Sequence, residues 1–414
     1  MEFLRIQFPG VPIMALTATA THSVQSDIKK YLKMANCEVF KASVDRPNLQ
    51  YEVAMKPASA EDAMDAIYQE IKNRFSGMPG IVYCFSKREA ETLAGHLADR
   101  GIRAKFYHSD LEMHTNDSGR SGRMEVYDEW SKGRIQVVVA TIAFGMGINK
   151  LDCRFVIHHT LSKSPSAYYQ EAGRAGRDGL PAVCLLFYKP GDLTRQSTLA
   201  VENHLNSAVA GVYQMVRYCE SMLEVQKGDE MHLLGRELIG QHFGENLKLM
   251  PQRLGKPIAA QADITEHALL LLNILKQMAQ NDKPTTLLQL VDLWQGRGRK
   301  AEWELPKDKA PAAFSKACCE RLVVMMLLDD ILQQKFTWTA YAVNSYLEAG
   351  HQARTVQQGK HKPHVSRLLL GESIPSKPKE GANAKGSRVK KRQEFSDDSD
   401  FDDDDEVLIK KLRK

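Results

Sequence analysis

Apolar and polar positions between residues 80 and 188 alternate between strand-like and helix-like segments. The strand-like runs, almost wholly apolar, are Gly80–Phe85, Ile102–His108, Ile135–Ala140, Phe155–His159 and Ala182–Tyr188. Between them, residues 87–100, 120–131 and 166–173 have helical spacing, and Ser86 is placed to cap the first helix. Strand–helix alternation with apolar strands predicts an α/β fold whose parallel sheet is covered by helices on both faces.

The C-terminal half has a different pattern. Residues 201–260 are charged and helical in character, and residues 264–295 place apolar side chains at helical spacing. Phe314–Asp330 predicts a further helix, and two strand-like runs follow at Gln334–Trp338 and Ala340–Leu347. Helices followed by a hairpin are typical of a winged-helix module. From residue 351 onward Lys, Gly, Pro, Ser and Asp dominate, which predicts disorder.

Composition is that of a soluble protein with several cores. The 414 residues are enough for two or three domains, and 43% are hydrophobic and 26% charged. No apolar run approaches the ~20 residues of a membrane span, so no membrane partner is expected. Seven scattered cysteines without a C-x-x-C pair favour a reducing compartment. Net charge is +5, and the eight acids within residues 397–406 leave the remainder more basic.

The run Gln170–Gly179 contains the most informative chemistry. Arg174 and Arg177 stand three residues apart between glycines, after a glutamine. Phosphoryl transfer needs a positioned guanidinium to meet charge developing on the γ-phosphate, and this spacing lets two reach one small anion. A solvated arginine-rich turn is the alternative, which the paired glycines and the leading Gln170 disfavour.

Six segments together resemble the RecQ family of superfamily 2 DNA helicases. In family order they are Ala15–Thr21, similar to motif III; Arg46–Leu49, similar to the RPNL segment between lobes; Ile81–Ser86, similar to motif IV; Tyr107–His108, similar to the YHA segment; Ala140–Ile148, similar to motif V; and Gln170–Gly179, similar to motif VI. The resemblance covers roughly residues 1–350 and is closest to the short animal members. It implies an ATP-dependent 3′-to-5′ DNA helicase that uses ATP and Mg²⁺ and binds single-stranded and forked DNA.

The resemblance also implies roles for individual residues. Arg177 is the expected γ-phosphate finger, with Arg174 supporting it and Gln170 sensing or orienting. Gly147 and Asn149 join the two arginines as nucleotide-binding candidates, and Asn149, where the family has Asp, is expected to weaken coupling. The DNA-binding candidates are Thr17, Thr19, Ser86, His108, Thr141 and Phe336, the last as the wedge of the winged-helix hairpin.

Alternatives remain open for several of these residues. Thr17 and Thr19 are equally consistent with capping and packing the first lobe. Phe336 and Trp338 are equally consistent with a place in the hairpin core. Thr141 lies at a strand–turn–helix junction that needs small residues in any case.

The family's zinc segment is not recognisable here. After motif VI the family has four cysteines, whereas Gln241–Glu245 runs into Asn246–Leu249 with none. Cys219 alone cannot make a tetrahedral site. We expect no structural zinc, and we expect His232 and His242 to lie on the surface or in helix packing.

The features that bind ATP in the first lobe are also missing from the sequence. Such a helicase needs G-x-x-x-x-G-K-[ST] and a strand ending in DExH, yet no Gly-Lys-Ser/Thr occurs. Asp229–His232 spells DExH, but no apolar strand precedes it. We therefore expect Met1 to fall late in the first lobe, as a 5′-incomplete coding sequence, an alternative start or a truncated paralogue. The chain alone is expected to be inactive, with a cut sheet and exposed apolar surface. A non-catalytic DNA-binding or regulatory fragment is the rival interpretation.

Five regions follow from these observations. They are 1–45, the end of the first RecA-like lobe; 46–197, the second RecA-like lobe; 198–262, a helical region with the degenerate zinc segment; 263–350, the winged helix; and 351–414, a disordered charged tail. Basic clusters at Lys385–Arg392 and Lys410–Lys414 resemble nuclear addresses, which predicts a nuclear protein with import factors as partners. A solvated tail is the equal alternative, and homo-oligomerisation is left open.

Overall fold

A parallel sheet lies at the centre of the structure, a computed structural model that describes residues 2–34, 36–113, 122–145, 147–203, 206–225, 228–250, 260–297, 310–339 and 342–371. Its strands are β1 (Leu49–Met55), β2 (Gly80–Tyr83), β3 (Ala104–Tyr107), β4 (Val137–Ala140), β5 (Phe155–His158) and β6 (Ala182–Tyr188). They lie in the order β1-β6-β5-β2-β4-β3, and every neighbouring pair is parallel. The predicted α/β fold is confirmed. Strand β1, at one edge, was not predicted.

Helices cover both faces of this sheet. They are α3 (Ala60–Arg74), α4 (Lys87–Asp99), α5 (Gly122–Ser131), α6 (Pro165–Ala172) and α7 (Gly191–Glu202). Alternate residues of β4 enter different cores, Val137 and Val139 on one face and Val138 and Ala140 on the other. The near-continuous apolar strands therefore follow from burial on both sides. Ser86 caps α4 through a reciprocal capping box with Glu89, as the sequence predicted.

One of the two cores continues beyond the sheet into the C-terminal helices. These are α8 (Asn206–Met222), α9 (Asp229–His242), α10 (Thr265–Gln280), α11 (Leu287–Trp294) and α12 (Lys316–Leu328). A buried ion pair adds to this contact, since Arg321 of α12 lies 2.7 Å from Glu220 of α8. Glu220 also accepts a hydrogen bond from Tyr188 of β6 at 2.9 Å. The predicted domain boundaries stay a prediction, and the core crosses them. Within the described residues no helix has the length and apolarity needed to cross a membrane.

A hairpin follows these helices, in the order predicted for a winged helix. It consists of β8 (Leu332–Trp338) and β9 (Val343–Ala349), paired antiparallel with Trp338 opposite Val343. Ala340 and Tyr341, which the sequence pattern placed in or next to the second strand, lie outside the described residues.

Disorder from residue 351 is wrong for the first part of the predicted tail. The chain forms α13 (Ala353–Gln357) and β10 (His364–Ser366), and β10 pairs with β7 (Gln261–Asp263). Val356 and Val365 are both 1% exposed. These valines, together with Ala353 and Leu369, are buried apolar anchors of a segment whose overall composition is polar. Residues 372–414, with both basic clusters, lie outside the described residues.

The N-terminal segment differs from the expected piece of a cut sheet. It forms α1 (Glu2–Gln7) and α2 (His22–Tyr31), and residues 2–34 and 36–45 contain no strand. A strand needs a hydrogen-bonding neighbour, and none of these residues pairs with the sheet. The expectation of a cut sheet is therefore wrong, whereas exposed apolar surface is observed. Leu16 is 86% exposed and Phe40 95% exposed.

Candidate nucleotide and DNA site

The turn that follows α6 presents the two motif VI arginines. We call Gly173–Gly179 the arginine turn. Gly176 has φ +55°, and a Cβ there would lie 2.5 Å from Nδ2 of Asn48. Asn48 donates hydrogen bonds to the carbonyl oxygens of Gly176 at 2.8 Å and Leu180 at 3.0 Å. The turn therefore packs against the RPNL segment at a distance that only glycine permits.

The arginine turn forms one wall of a cavity of about 690 Å³. Its lining residues are Ala18, Thr19, Arg46, Gly145, Gly147, Ile148, Asn149, Tyr169, Gln170, Gly173, Arg174 and Arg177. Every residue that the sequence assigned to the nucleotide lies here. Arg46 and Tyr169 were missed, although the RPNL resemblance had drawn attention to Arg46. Among the described residues, three arginines and no carboxylate line the cavity, which is the composition of an anion site.

Arg177 is bonded to the motif V loop. Its Nη1 donates to the carbonyl oxygen of Ile148 at 2.7 Å and to Oδ1 of Asn149 at 3.3 Å. Gly147, with φ +80°, shapes this loop. Partial burial, followed by the positive charge of Arg174 and Arg46, lowers the pKa of the Arg177 guanidinium. An anion in the cavity would relieve that repulsion.

Arg174 is less exposed than Arg177 and lies deeper in the site. Its Nε is buried without a hydrogen-bond partner in the structure. The Tyr83 hydroxyl is hydrogen-bonded to Arg174 and donates to the carbonyl oxygen of Phe144 at 2.7 Å. Tyr83 thus joins motif IV, motif V and the arginine turn through one hydroxyl, and an unpaired guanidinium nitrogen remains at the site.

Thr17 and Thr19 differ in their surroundings. Gln170 Nε2 donates to Oγ1 of Thr19 at 2.7 Å, which connects motif VI with motif III. Thr17 hydrogen-bonds only with the backbone of Thr19, at 2.9 and 3.2 Å, and does not line the cavity. The structure therefore places Thr19 with the nucleotide candidates, while Thr17 stabilises a local turn.

Three DNA-binding candidates lie at the carboxyl edge of the sheet, where the carboxyl ends of all six parallel strands lie. Ser86, His108 and Thr141 follow β2, β3 and β4, which are adjacent. Ligands of open parallel sheets bind at this edge. Ser86 and Thr141 use their hydroxyls as acceptors for local backbone N–H groups. His108 is 5% exposed and lies 2.9 Å from a carboxylate oxygen of Glu91, so its ring is held in place.

Phe336, the candidate for the hairpin wedge, lies within the ladder and not in its last pair. It lies opposite Ser345, two pairs before the last pair of the ladder, and is half-buried. Trp338, in the last pair, is 54% exposed. Because side chains alternate along a strand, Phe336 and Trp338 lie on the same face of the hairpin. The register of the ladder places Trp338 in its last pair.

The side chains that line the site suit the phosphates of ATP better than they suit a metal ion. Arginines, glycine loops and Gln170 suit phosphate oxygens, whereas Mg²⁺ prefers carboxylate or phosphate oxygen, and none of the described residues that line the cavity has a carboxylate. Across the described residues no group of three or more His, Cys, Asp or Glu could hold a metal ion. The chain's own residues therefore do not fit Mg²⁺ at this cavity.

Residues of the degenerate zinc segment have other partners. Cys219 is fully buried in α8. His242 Nε2 lies 2.8 Å from Ser166 Oγ, and His232 Nδ1 lies 3.1 Å from the carbonyl oxygen of Tyr51. Both histidines thus take part in helix packing. Asp229–His232 opens α9 instead of ending a strand, so its DExH spelling is not a Walker-type site.

Several known proteins are similar to this chain. Residues 62–179 match the family described as "Helicase conserved C-terminal domain". ATP-dependent DNA helicase Q1 of Rattus norvegicus is 39% identical over 367 residues, 87% of this chain and 56% of that protein. ATP-dependent DNA helicase Q-like 2 of Arabidopsis thaliana is 38% identical over 371 residues, 87% of this chain and 48% of that protein. A solved DEAD box protein from Methanococcus jannaschii is 24% identical, with a TM-score of 0.32, over 47% of this chain and 48% of that one.

The parallel sheet, the arginine turn and the family match define the second RecA-like lobe of a helicase. The order of motifs and the identity to the helicase Q relatives then give the family. The chain belongs to the RecQ family of superfamily 2 DNA helicases. It spans about half the length of the first curated relatives that it matches, 48% and 56%.

Proposed function

We propose that this chain is the C-terminal portion of an ATP-dependent 3′-to-5′ DNA helicase, in which Arg177 meets the γ-phosphate and Arg174 supports it. The observation that carries the proposal is the convergence of three arginines with Gln170 on one cavity without carboxylates. Like charges held together in a partly buried site favour an anionic ligand. ATP supplies the phosphoryl group; the chain's residues bind and orient it.

Two hydrogen bonds support coupling between nucleotide and DNA. Arg177 is bonded to the motif V loop through Ile148, so a phosphate that attracts this guanidinium pulls on that loop or releases it. Gln170 is bonded to Thr19 of motif III. A change at the phosphate would thus reach two segments that border the DNA candidates.

We propose that the chain alone binds DNA without hydrolysing ATP. The sequence contains neither a P-loop lysine nor a DExH box on a strand, and the cavity has no carboxylate to hold Mg²⁺. This supports the second candidate function, a non-catalytic DNA-binding or regulatory product. Both candidate functions would place DNA at the carboxyl edge of the sheet and at the hairpin, where Trp338 offers an exposed ring to the fork.

Phosphate release in the presence of single-stranded DNA separates the candidates. The 414-residue chain is expected to release none above background. Turnover that Arg177→Ala abolishes would contradict the proposed inactivity. Sequencing the 5′ end of the transcript decides the helicase assignment, because an in-frame P-loop and DExH box would predict turnover in the longer product. Loss of its arginine finger would cost that product ~10³-fold or more.

The cellular location and the partners of the protein are also part of the proposed function. We propose that the protein is nuclear and that its basic clusters bind import factors, which a fluorescent fusion with and without residues 385–392 would test. Exposed Leu16 and Phe40 support self-association, because apolar patches on a soluble surface mark contact sites. Sedimentation velocity at rising concentration would measure it, and Phe40→Glu should weaken it.

A further inference from the structure

Arg195 of α7 stacks on an aromatic side chain at the carboxyl edge of the sheet. Its guanidinium carbon lies 3.8 Å from the ring centroid of Phe85, the residue before Ser86. Its Nη1 lies 2.6 Å from Oε1 of Glu89. The Arg195 side chain nevertheless stays 37% exposed. An arginine plane held by a ring and by a carboxylate is therefore presented to solvent beside motif IV.

The same helix reaches the hairpin. Arg195 and Glu202 are seven residues apart, so they lie on one side of α7 about 10 Å from each other along its axis. Glu202 Oε1 is 3.5 Å from the backbone nitrogen of Val343 in β9. Val343 is the cross-strand partner of Trp338. One side of α7 thus connects the exposed hairpin tryptophan with Phe85 of motif IV.

The charges around Arg195 favour a nucleobase over a phosphate. Glu89 is 25% exposed and bonded to the guanidinium, so it offsets part of the charge of Arg195, although Lys56 shares this carboxylate, and its own charge would repel a phosphate oxygen placed beside it. A base carries no such charge, and bases stack on arginine planes and aromatic rings. Charge and shape at this position therefore both fit the π-face of a base.

We propose that Arg195 and Phe85 form a stacking platform for a base of the unwound strand. The ~10 Å between Arg195 and Glu202 along α7 corresponds to about three steps of ~3.4 Å, so a single-stranded tail of at least about three nucleotides is expected to be needed to reach the platform. This inference rests on the proposed DNA-binding function and adds a contact to the motif IV region.

Binding of forked DNA by the full chain tests the platform. Fluorescence anisotropy would compare forks whose 3′ single-stranded tails run from zero to eight nucleotides. Wild-type affinity is expected to rise once the tail passes about three nucleotides. Arg195→Ala should lose that increment, about fivefold or more, and leave the affinity for the blunt fork unchanged. Arg195→Lys should lose it too, because an ammonium has no plane.

Arg100 provides a matched control at the opposite end of α4. Its side chain is also 37% exposed, lies 3.4 Å from Asp65 and faces the ring of Tyr68 at 5.9 Å. Arg100→Ala should leave tail-dependent binding as in the wild type. Melting curves of both variants show whether each has folded.

Glu89→Gln distinguishes stacking from a structural brace. Glutamine keeps the capping box of α4 but removes the ion pair with Arg195. The platform therefore predicts that Glu89→Gln keeps at least half of the wild-type affinity for forks with long tails. An equal loss in Glu89→Gln and Arg195→Ala would mean that the pair only braces motif IV, and the proposal would fail. Rescue by Arg195→Lys, with the salt slope reduced by about 0.7 in Arg195→Ala, would identify a phosphate contact instead.

Two further outcomes overturn the platform in different ways. If the wild type binds with the expected tail dependence and Arg195→Ala matches it, only the platform is wrong. If the wild type binds no DNA at any tail length, the proposed DNA-binding function fails and the platform with it.

Discussion

Gln170 donates a hydrogen bond of 2.7 Å to the hydroxyl of Thr19, across 151 residues of chain. This contact joins the N-terminal segment, which adds no strand to the sheet, to α6, the helix that leads into the arginine turn. Because both groups are near the surface, the bond itself contributes only ~0.5–1.5 kcal/mol. The bond matters because it holds motif III and motif VI at the same cavity.

Thr19→Val should therefore loosen the N-terminal segment without unfolding the protein. Hydrogen–deuterium exchange is expected to speed up in peptides covering residues 11–21 and around Gln170, with melting almost unchanged. Thr17→Val is the control, because Thr17 bonds only to the backbone of Thr19. Unchanged exchange around Gln170 in Thr19→Val would show that the bond does not hold the two motifs together.

The buried pair of Glu220 and Arg321 predicts a large loss of stability. Their side chains are 5% and 13% exposed, and Glu220 also accepts from the Tyr188 hydroxyl. Glu220→Ala would leave the arginine without a counter-charge in the core, at a cost of ~3–5 kcal/mol in the free energy of unfolding. Urea titration measures this quantity.

A double variant shows whether that loss comes from the unpaired charge. Glu220→Leu combined with Arg321→Met removes both charges and keeps the volume, so it should recover most of the stability. If the double variant is as unstable as Glu220→Ala, lost packing explains the effect and not an isolated guanidinium.

Zinc should have no part in the stability of this chain. The region of α9 is held by carboxylate hydrogen bonds, since Glu245 accepts from the Val44 nitrogen at 2.9 Å and Glu237 from the Met250 nitrogen at 3.0 Å. Elemental analysis of the purified chain should find less than stoichiometric zinc, and a chelator should leave the melting temperature unchanged. One zinc per chain, or a chelator-induced drop in melting temperature, would contradict this.

His159 predicts a loss of stability on acidification. It follows β5, is 7% exposed, and faces Lys56, Glu89, Lys189 and Arg195. Burial, followed by the charge of Lys56, lowers its pKa from 6.5 to about 3. The unfolded chain therefore binds a proton between pH 6.5 and 3 that the folded chain does not. The contribution of His159 to the free energy of unfolding should therefore fall as the pH drops below 6.5, by at most ~1.4 kcal/mol per pH unit.

His159→Gln should remove that contribution. Urea unfolding at pH 7.5, 6.0 and 5.0 would compare the slopes of the wild type and the variant, with a shallower slope expected in the variant. Parallel slopes would mean that His159 does not contribute to the acid response.

Local pattern was sufficient for five of the six strands of the sheet and for most of the cavity. Strand-like apolar runs, the Ser86 cap and the glycine–arginine spacing of motif VI each depend on neighbours within a few residues, and each agrees with the structure. The prediction of disorder was wrong for the first part of the tail because it rested on average composition. An average does not show single buried residues such as Val356 and Val365, which fix this segment to the rest of the fold.

The sequence by itself determined that this protein has a parallel α/β lobe, which residues form its arginine turn, and to which family it belongs. Only the tertiary structure decided that Arg46 completes the cavity and that Trp338 is exposed while Phe336 is half-buried. It alone placed Arg195 over Phe85, 110 residues away in the chain. The physical reason is the separation along the chain over which each feature acts. Periodicity and capping depend on neighbouring residues and report burial within one element. The contacts of Arg46, Trp338 and Arg195 depend on strand order and on how separate helices pack.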